Sequence, residues 1–291
     1  ALCYLWAGLE QVEIVGPENV FGGRSLVVSL TMNYGIGLQD MGRLPEALVQ
    51  YNRAISAMGN PPTDLQDYLH GHANIADLER RLYARDVWVT NLRKCVHTYE
   101  YTQRESAAVA NAVGQLVEHF AKAGQLDSAY AYLEFAQGIC SQSTNLQVQA
   151  QLLYLEGFIE LQNHKTEAAL AHGKEALQLL RPSNITVRMM PVVRLLTRAW
   201  LAQGNADSAL WYAKEYERFV AHRGRDETAN ILLSKAYAAA GNYRLAFIHD
   251  TIAAAVRDST LGKSMQEQLS YIQLQKEQAD KQVLQQRADI N

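Results

Sequence analysis

Residues 34–54 read YGIGLQDMGRLPEALVQYNRA, two apolar segments joined by the glycine turn Met41-Gly42-Arg43. Ala47, Tyr51 and Ala54 are four and three residues apart, so they share one face of a helix. Small residues on that face let a second helix approach closely. Pro45 suits the start of a helix, because the N–H that proline lacks has no helical partner there. The stretch therefore predicts two helices packed as a pair across the turn.

The same pattern of apolar, glycine and alanine positions recurs along the chain. Its later copies comprise Leu116, Phe120, Gly124, Ala129, Leu133 and Ala136; Gly157, Ala169, Gly173 and Ala176; Leu196, Trp200, Gly204, Ala209 and Ala213; and Leu233, Tyr237, Gly241, Ala246 and Ala253. A degenerate copy over residues 67–99 keeps the rhythm without the small residues. We expect each turn glycine to take the left-handed conformation that ends a helix. No alternating apolar–polar segment of useful length is present, so the sequence predicts an all-α protein.

These residues resemble the tetratricopeptide repeat, a helix pair with small and aromatic residues at these offsets. The resemblance covers about residues 28–260 and implies an α–α superhelical solenoid of about six helix pairs. A partial leading pair is expected at residues 1–27, interrupted at Gly16-Pro17 and Gly22-Gly23, and a long helix at residues 261–291. Stacked pairs bury a continuous core, and the first helices then line a groove that suits an extended peptide or a partner helix.

Composition narrows the function classes. The 291 residues are 48% hydrophobic and 20% charged, close to globular averages, which argues against disorder. The net charge of −3 gives no electrostatic reason to expect nucleic acid as a partner. No apolar run approaches the roughly 20 residues that a membrane-spanning helix needs. Three widely separated cysteines form neither a disulfide framework nor a zinc motif.

Short strings that imitate catalytic motifs fail in their context. Gly35-Ile36-Gly37 is followed by Asp40 where a dinucleotide loop needs glycine, and Gly262-Lys263-Ser264 lacks the first glycine of a phosphate loop because position 257 is Arg257. The chain contains no His-Glu-x-x-His and no Gly-x-Ser-x-Gly. We therefore expect no enzyme activity, no metal site and no cofactor.

Candidate partner contacts come from the expected groove lining, which is richer in cations than the chain as a whole. They are Arg80, Lys122, Tyr154, Phe158, Arg194, Arg198 and Lys235. Arginines beside aromatic rings suit a carboxylate or an acidic peptide, because the guanidinium binds carboxylates in a fork and the ring anchors apolar groups. The alternative is that the aromatic rings pack between repeats and the charges form an ordinary solvated helix face.

The tail beyond Thr260 has a different composition, rich in Gln, Lys and Glu. Alternating steps of four and three residues from Met265 reach Leu269, Ile272, Lys276, Ala279, Val283, Gln286 and Ile290, so six of eight positions are apolar. That spacing is typical of a coiled-coil seam and favours a homodimer through the C-terminal helix. The periodicity is unbroken up to Ile290, which predicts a helix that continues past this end; a helix that caps the solenoid is the competing interpretation.

The order of these parts resembles membrane-anchored signalling proteins of the Bacteroidota. In those proteins an envelope-side tetratricopeptide array passes through a coiled coil into a membrane helix and an output domain. The resemblance implies a sensory or docking array on the envelope side, with a protein or peptide as partner. The alternatives are a stand-alone scaffold or adaptor, which would fit a cytoplasmic location, and a small-ligand protein or enzyme that uses Tyr154, Phe158, Arg194 and Arg198.

Overall fold

A computed structural model describes residues 2–16, 23–59, 62, 64–82, 86–102, 107–140, 144–183, 185–223 and 225–290. Every regular element in these ranges is helical. The helices are α1 (Leu2–Val15), α2 (Gly23–Asp40), α3 (Leu44–Ala57), α4 (Leu65–Leu82), α5 (Val87–Thr102), α6 (Ala107–Lys122), α7 (Leu126–Cys140), α8 (Leu146–Gln162), α9 (Thr166–Leu180), α10 (Thr186–Ala202), α11 (Ala206–Val220), α12 (Glu227–Ala239) and α13 (Tyr243–Ile290). The all-α prediction is confirmed. Of the expected breaks at Gly16-Pro17 and Gly22-Gly23, residues Pro17 and Gly22 lie outside the described residues.

The helices pack in consecutive pairs, α2 with α3 through α12 with α13, which makes six pairs in the described part of the chain. Helix α1 packs on α2, and α2 begins at Gly23 rather than at residue 28. The first helices of neighbouring pairs also touch, α2 with α4, α8 with α10 and α10 with α12. First helices therefore line the inner side of each stack, as a helical-repeat solenoid requires.

The chain forms two compact units. One contains the described residues up to Ala112 together with the helix from Leu261 onward, and the other spans Val113–Thr260. Helix α13 is continuous from Tyr243 to Ile290, so the tail is a direct extension of the second helix of the last pair. None of the described helices is both long enough and apolar enough to cross a membrane.

The turns inside the pairs share one backbone conformation. Gly42, Gly124, Gly204 and Gly241 have φ between +74° and +79°. After Gly42 the N–H of Arg43 donates to the carbonyl of Leu38 at 2.9 Å, and the same six-residue closure follows each of the other three glycines. This bond satisfies a carbonyl that the helix end leaves without a partner. The predicted left-handed turns are confirmed at all four positions.

The turn between α8 and α9 departs from this pattern because its left-handed residue is His164, at φ +59°. The closing bond is intact, since the N–H of Lys165 donates to the carbonyl of Glu160 at 2.8 Å. A side chain with a Cβ atom costs about 1–2 kcal/mol in this conformation, whereas glycine does not. Packing of α8 against α9 holds His164 in this conformation despite the strain.

We expect His164→Gly to raise the free energy of unfolding, because relief of the left-handed strain gains about 1 kcal/mol. The greater freedom of glycine in the unfolded chain offsets a few tenths of a kcal/mol of this gain. Urea denaturation followed by circular dichroism measures this change. Gly204→Ala, at the matching place in the next pair, is the control of opposite sign and should destabilise the protein. A loss of stability in His164→Gly would contradict the assignment of strain to this turn.

Candidate partner-binding surface

Five of the seven predicted contact residues, together with Glu118, fall on two rows of the first helices, counted back from each left-handed turn residue. Ten residues before it stand Tyr154 and Arg194, and six residues before it stand Glu118, Phe158, Arg198 and Lys235. Because neighbouring first helices repeat this register side by side, residues about 40 positions apart in the chain become neighbours in space.

In unit Val113–Thr260 the two rows meet in a polar group that we call the Tyr154 cluster, formed by Glu118, Lys122, Tyr154, Phe158 and Arg194. The Tyr154 hydroxyl donates to Glu118 Oε1 at 2.9 Å, and Arg194 Nη2 donates to the same hydroxyl at 3.5 Å. Lys122 Nζ lies 2.9 Å from Glu118 Oε2 and 5.4 Å from the centre of the Phe158 ring. Helices α6, α8 and α10 are thereby tied together across the inner side.

The aromatic members of the cluster are buried. Tyr154 is 1% exposed and Phe158 is 2% exposed, with ring centres 6.0 Å apart. Burial, and next the negative charge of Glu118, raise the pKa of the Tyr154 phenol, which stays protonated and donates. The two rings pack between repeats, as the alternative interpretation of the sequence holds, and leave little area for a partner to contact.

The basic residues have different surroundings. Arg194 is one-third exposed and already faces Tyr154 and Glu118, whose Oε2 lies 3.9 Å from Arg194 Nη2. Arg198 and Lys235 are exposed and form no ion pair with any residue in the described ranges. They occupy the same row on α10 and α12, which touch each other. This pair offers uncommitted positive charge on the inner side of unit Val113–Thr260.

Arg80 belongs to the other unit. It is exposed on α4 and pairs with Asp77, one turn away on the same helix, at 2.9 Å. The inner side there carries a cavity of about 380 Å³ between α2 and α4. Its lining mixes apolar and polar groups: Ser29, Met32, Asn33, Ile36, Asp67, His70 and Asn74.

Beneath the surface of that unit lies a buried polar chain, which sequence reasoning did not predict. His72 is 3% exposed, and its Nδ1–H donates to Asn91 Oδ1 at 2.9 Å. Asn91 Nδ2 donates in turn to Glu79 Oε2 at 2.6 Å. His72 Nε2 is buried without a hydrogen-bond partner in the described part of the chain. Burial lowers the pKa of His72 to about 4, against the opposing effect of the bond to Asn91.

A sequence signal for such pairs exists in the repeat register. Glu79 and Asn91 are twelve residues apart, and so are two other bonded pairs that join the first and second helix of a repeat. Tyr51 donates to Gln39 at 2.9 Å, and His172 Nδ1 donates to Glu160 at 2.8 Å. These three bonds between the two helices of a pair thus share a spacing of twelve residues. Within the described residues, no group of three or more His, Cys, Asp or Glu side chains could hold a metal ion.

No family model matches the chain. The regulatory protein RapG of Bacillus subtilis (strain 168) is 27% identical over 132 residues, which is 45% of this chain. The chain thus matches 36% of the length of that curated relative.

Solved structures match more of the chain at low identity. A Rap protein complexed with competence and sporulation factor has a TM-score of 0.59 and 11% identity, over 88% of this chain and 80% of that one. BtubC from P. vanneervenii has a TM-score of 0.56 and 16% identity, over 75% of this chain and 92% of that one. These structures are tetratricopeptide-like repeat proteins. The six helix pairs, their left-handed turns and these likenesses together show that the chain has the tetratricopeptide-like helical-repeat fold.

Proposed function

We propose that this chain is a non-catalytic repeat domain that binds a protein or peptide segment on the inner side of its first helices. The observation that carries the proposal is the pair Arg198 and Lys235, exposed and unpaired in the same row of α10 and α12. Two adjacent cations without an internal carboxylate partner suit an acidic segment of a partner. A similar fold binds a partner in the Rap complex with competence and sporulation factor.

The Tyr154 cluster has a different role in this proposal. Glu118 and Tyr154 already engage Arg194, so the cluster holds the first helices α6, α8 and α10 in register. It thereby fixes the spacing of the row that contains Arg198 and Lys235. The partner then contacts Arg198 and Lys235, with Lys122 at the rim because its side chain is about half exposed. Tyr154 and Phe158 are buried, so in this proposal they hold the helices in place and do not contact the partner.

Fluorescence anisotropy with labelled peptides of matched length, one rich in Asp and Glu and one rich in Lys and Arg, tests the charge preference. We expect the acidic peptide to bind, and Arg198→Glu with Lys235→Glu to weaken it by at least about tenfold. The melting temperature should stay unchanged, because neither residue has an internal partner to lose. Arg218→Glu, an exposed position on α11, is the control. Equal binding of both peptides, or an unaffected double variant, overturns the acidic-partner proposal.

The wider role is that of a sensory or docking part in a signalling protein on the envelope side of the cell. The regulatory name of the Bacillus relative supports regulation in general, and the signalling layout and location come from the resemblance of the tail. The intact mass of the native protein in soluble and membrane fractions tests both. A membrane-bound species larger than 32.5 kDa supports the signalling role, whereas a soluble species of that mass supports a stand-alone adaptor.

A further inference from the structure

The helix beyond Thr260 exposes an apolar stripe in the unit to which it belongs. Met265, Leu269 and Ile272 are 67%, 58% and 61% exposed, at spacings of four and three residues. A polar side of the helix, from Gln266 and Gln273 beside the stripe to Glu267 and Ser270 further round, faces Arg43 at the turn and Glu46 in α3 across a cavity of about 430 Å³. The body of the unit thus lies against the polar side and leaves the apolar stripe uncovered.

We propose that a second copy of this chain covers this stripe, through a coiled coil formed by the two tails. The stripe follows a 3.5-residue period, which keeps a seam facing another helix along its whole length. The tail from residue 261 to Ile290 is helical and spans about 45 Å at 1.5 Å per residue. A helix of this kind gains most of its stability from packing of its apolar face rather than from intrinsic propensity.

The residues beside the seam favour an identical helix as the occupant. Five of the eight flanking positions are uncharged glutamines, and in a parallel dimer the charged Asp280 and Arg287 would face Gln275 and Gln282 rather than a like charge. In a parallel dimer these positions face one another, so two copies meet without the like-charge repulsion that selects a different partner. The seam is also narrow, since glutamines border it on both sides, whereas a helix that lies on a lipid surface needs a broad apolar face with Lys and Arg at its edge.

Lys276 lies in the seam, one turn after Ile272. A polar residue at a seam position lowers the stability of a coiled coil while it restricts register and oligomeric state. The dimer should therefore dissociate reversibly on dilution and become tighter when Lys276 is made apolar. Helix α13 runs without interruption into the last helix pair, so dimerisation would hold two repeat arrays in one particle.

Sedimentation velocity of the full chain over a concentration series tests the dimer. We expect reversible growth from 32.5 kDa to twice that mass. Leu269→Lys with Ile272→Lys should stay monomeric with unchanged helicity in the repeats, and Lys276→Leu should tighten the dimer by at least about tenfold. Thr260→Lys with Ser270→Lys adds the same charge outside the seam and should still dimerise.

Cysteine cross-linking tests which face is joined. Ile272→Cys should give a disulfide-linked pair under mild oxidation, and Ser270→Cys should give no more than the unsubstituted chain, whose cysteines are Cys3, Cys95 and Cys140. A Lys276→Leu variant that remains monomeric at every concentration overturns the proposal. So does sedimentation of the monomer with phosphatidylcholine–phosphatidylserine vesicles in a manner that the Leu269→Lys, Ile272→Lys double variant abolishes. Peptide binding by the inner side is measured separately and does not depend on either result.

Discussion

Tyr51→Ala is expected to lower the free energy of unfolding by about 3–5 kcal/mol, the loss typical of a large buried side chain. Tyr51 is fully buried within the core cluster that contains Leu38, Leu44 and Leu48. Its ring fills the space beside Gly35, where a Cβ atom would lie only 2.8 Å from the ring. Alanine would leave a cavity that α2 and α3 cannot close without shifting, and would remove the bond to Gln39. Urea denaturation followed by circular dichroism measures the loss.

Tyr243→Ala is the matched control for this substitution, because the same side chain is largely exposed at the start of α13. Its removal should change the free energy of unfolding by no more than about 0.5 kcal/mol. A similar loss of unfolding free energy in both variants would contradict the conclusion that the Tyr51 ring fills the core between α2 and α3.

The second large effect is a loss of stability in mild acid caused by His72. Its folded-state pKa is about 4, below the ordinary value of 6.5. As the pH falls from 6.5 to 4 the unfolded chain takes up a proton at His72 and the folded chain does not. The free energy of unfolding therefore falls by about 3 kcal/mol between pH 6.5 and pH 4 because of His72. The stability that depends on the uncharged His72 ring is present in full only above pH 6.5. Burial is the main cause, and the nearby Lys94 charge adds to it.

His72→Gln removes the titrating ring while it keeps a donor for Asn91, so the free energy of unfolding should depend less on pH between 6.5 and 4. Urea denaturation at several pH values measures the slope. His70→Gln, two residues away on α4 with its ring only partly buried, is the control. An unchanged slope in His72→Gln would show that acid lability arises elsewhere.

Local spacing was sufficient to predict the helix pairs and their turns. Gly42, Gly124, Gly204 and Gly241 could be placed because an end of a helix in left-handed conformation selects glycine, a requirement that involves only neighbouring residues. The same reasoning passed over His164, since histidine carries no local signal for that conformation; packing of α8 on α9 imposes it. The buried chain of His72, Asn91 and Glu79 was missed because its members lie on two helices and each residue type is usually exposed.

The sequence by itself determined that this protein is a stack of helix pairs, because small residues at steps of three and four and glycine at the turns restrict the backbone locally. Only the tertiary structure decided which predicted contact residues reach the surface. Tyr154 and Phe158 are covered, Arg194 is engaged by Glu118 and Tyr154, and Arg198 and Lys235 are exposed. The physical reason is that the bonds of Tyr154 join residues 36 and 40 positions apart, whose proximity depends on how successive first helices stack.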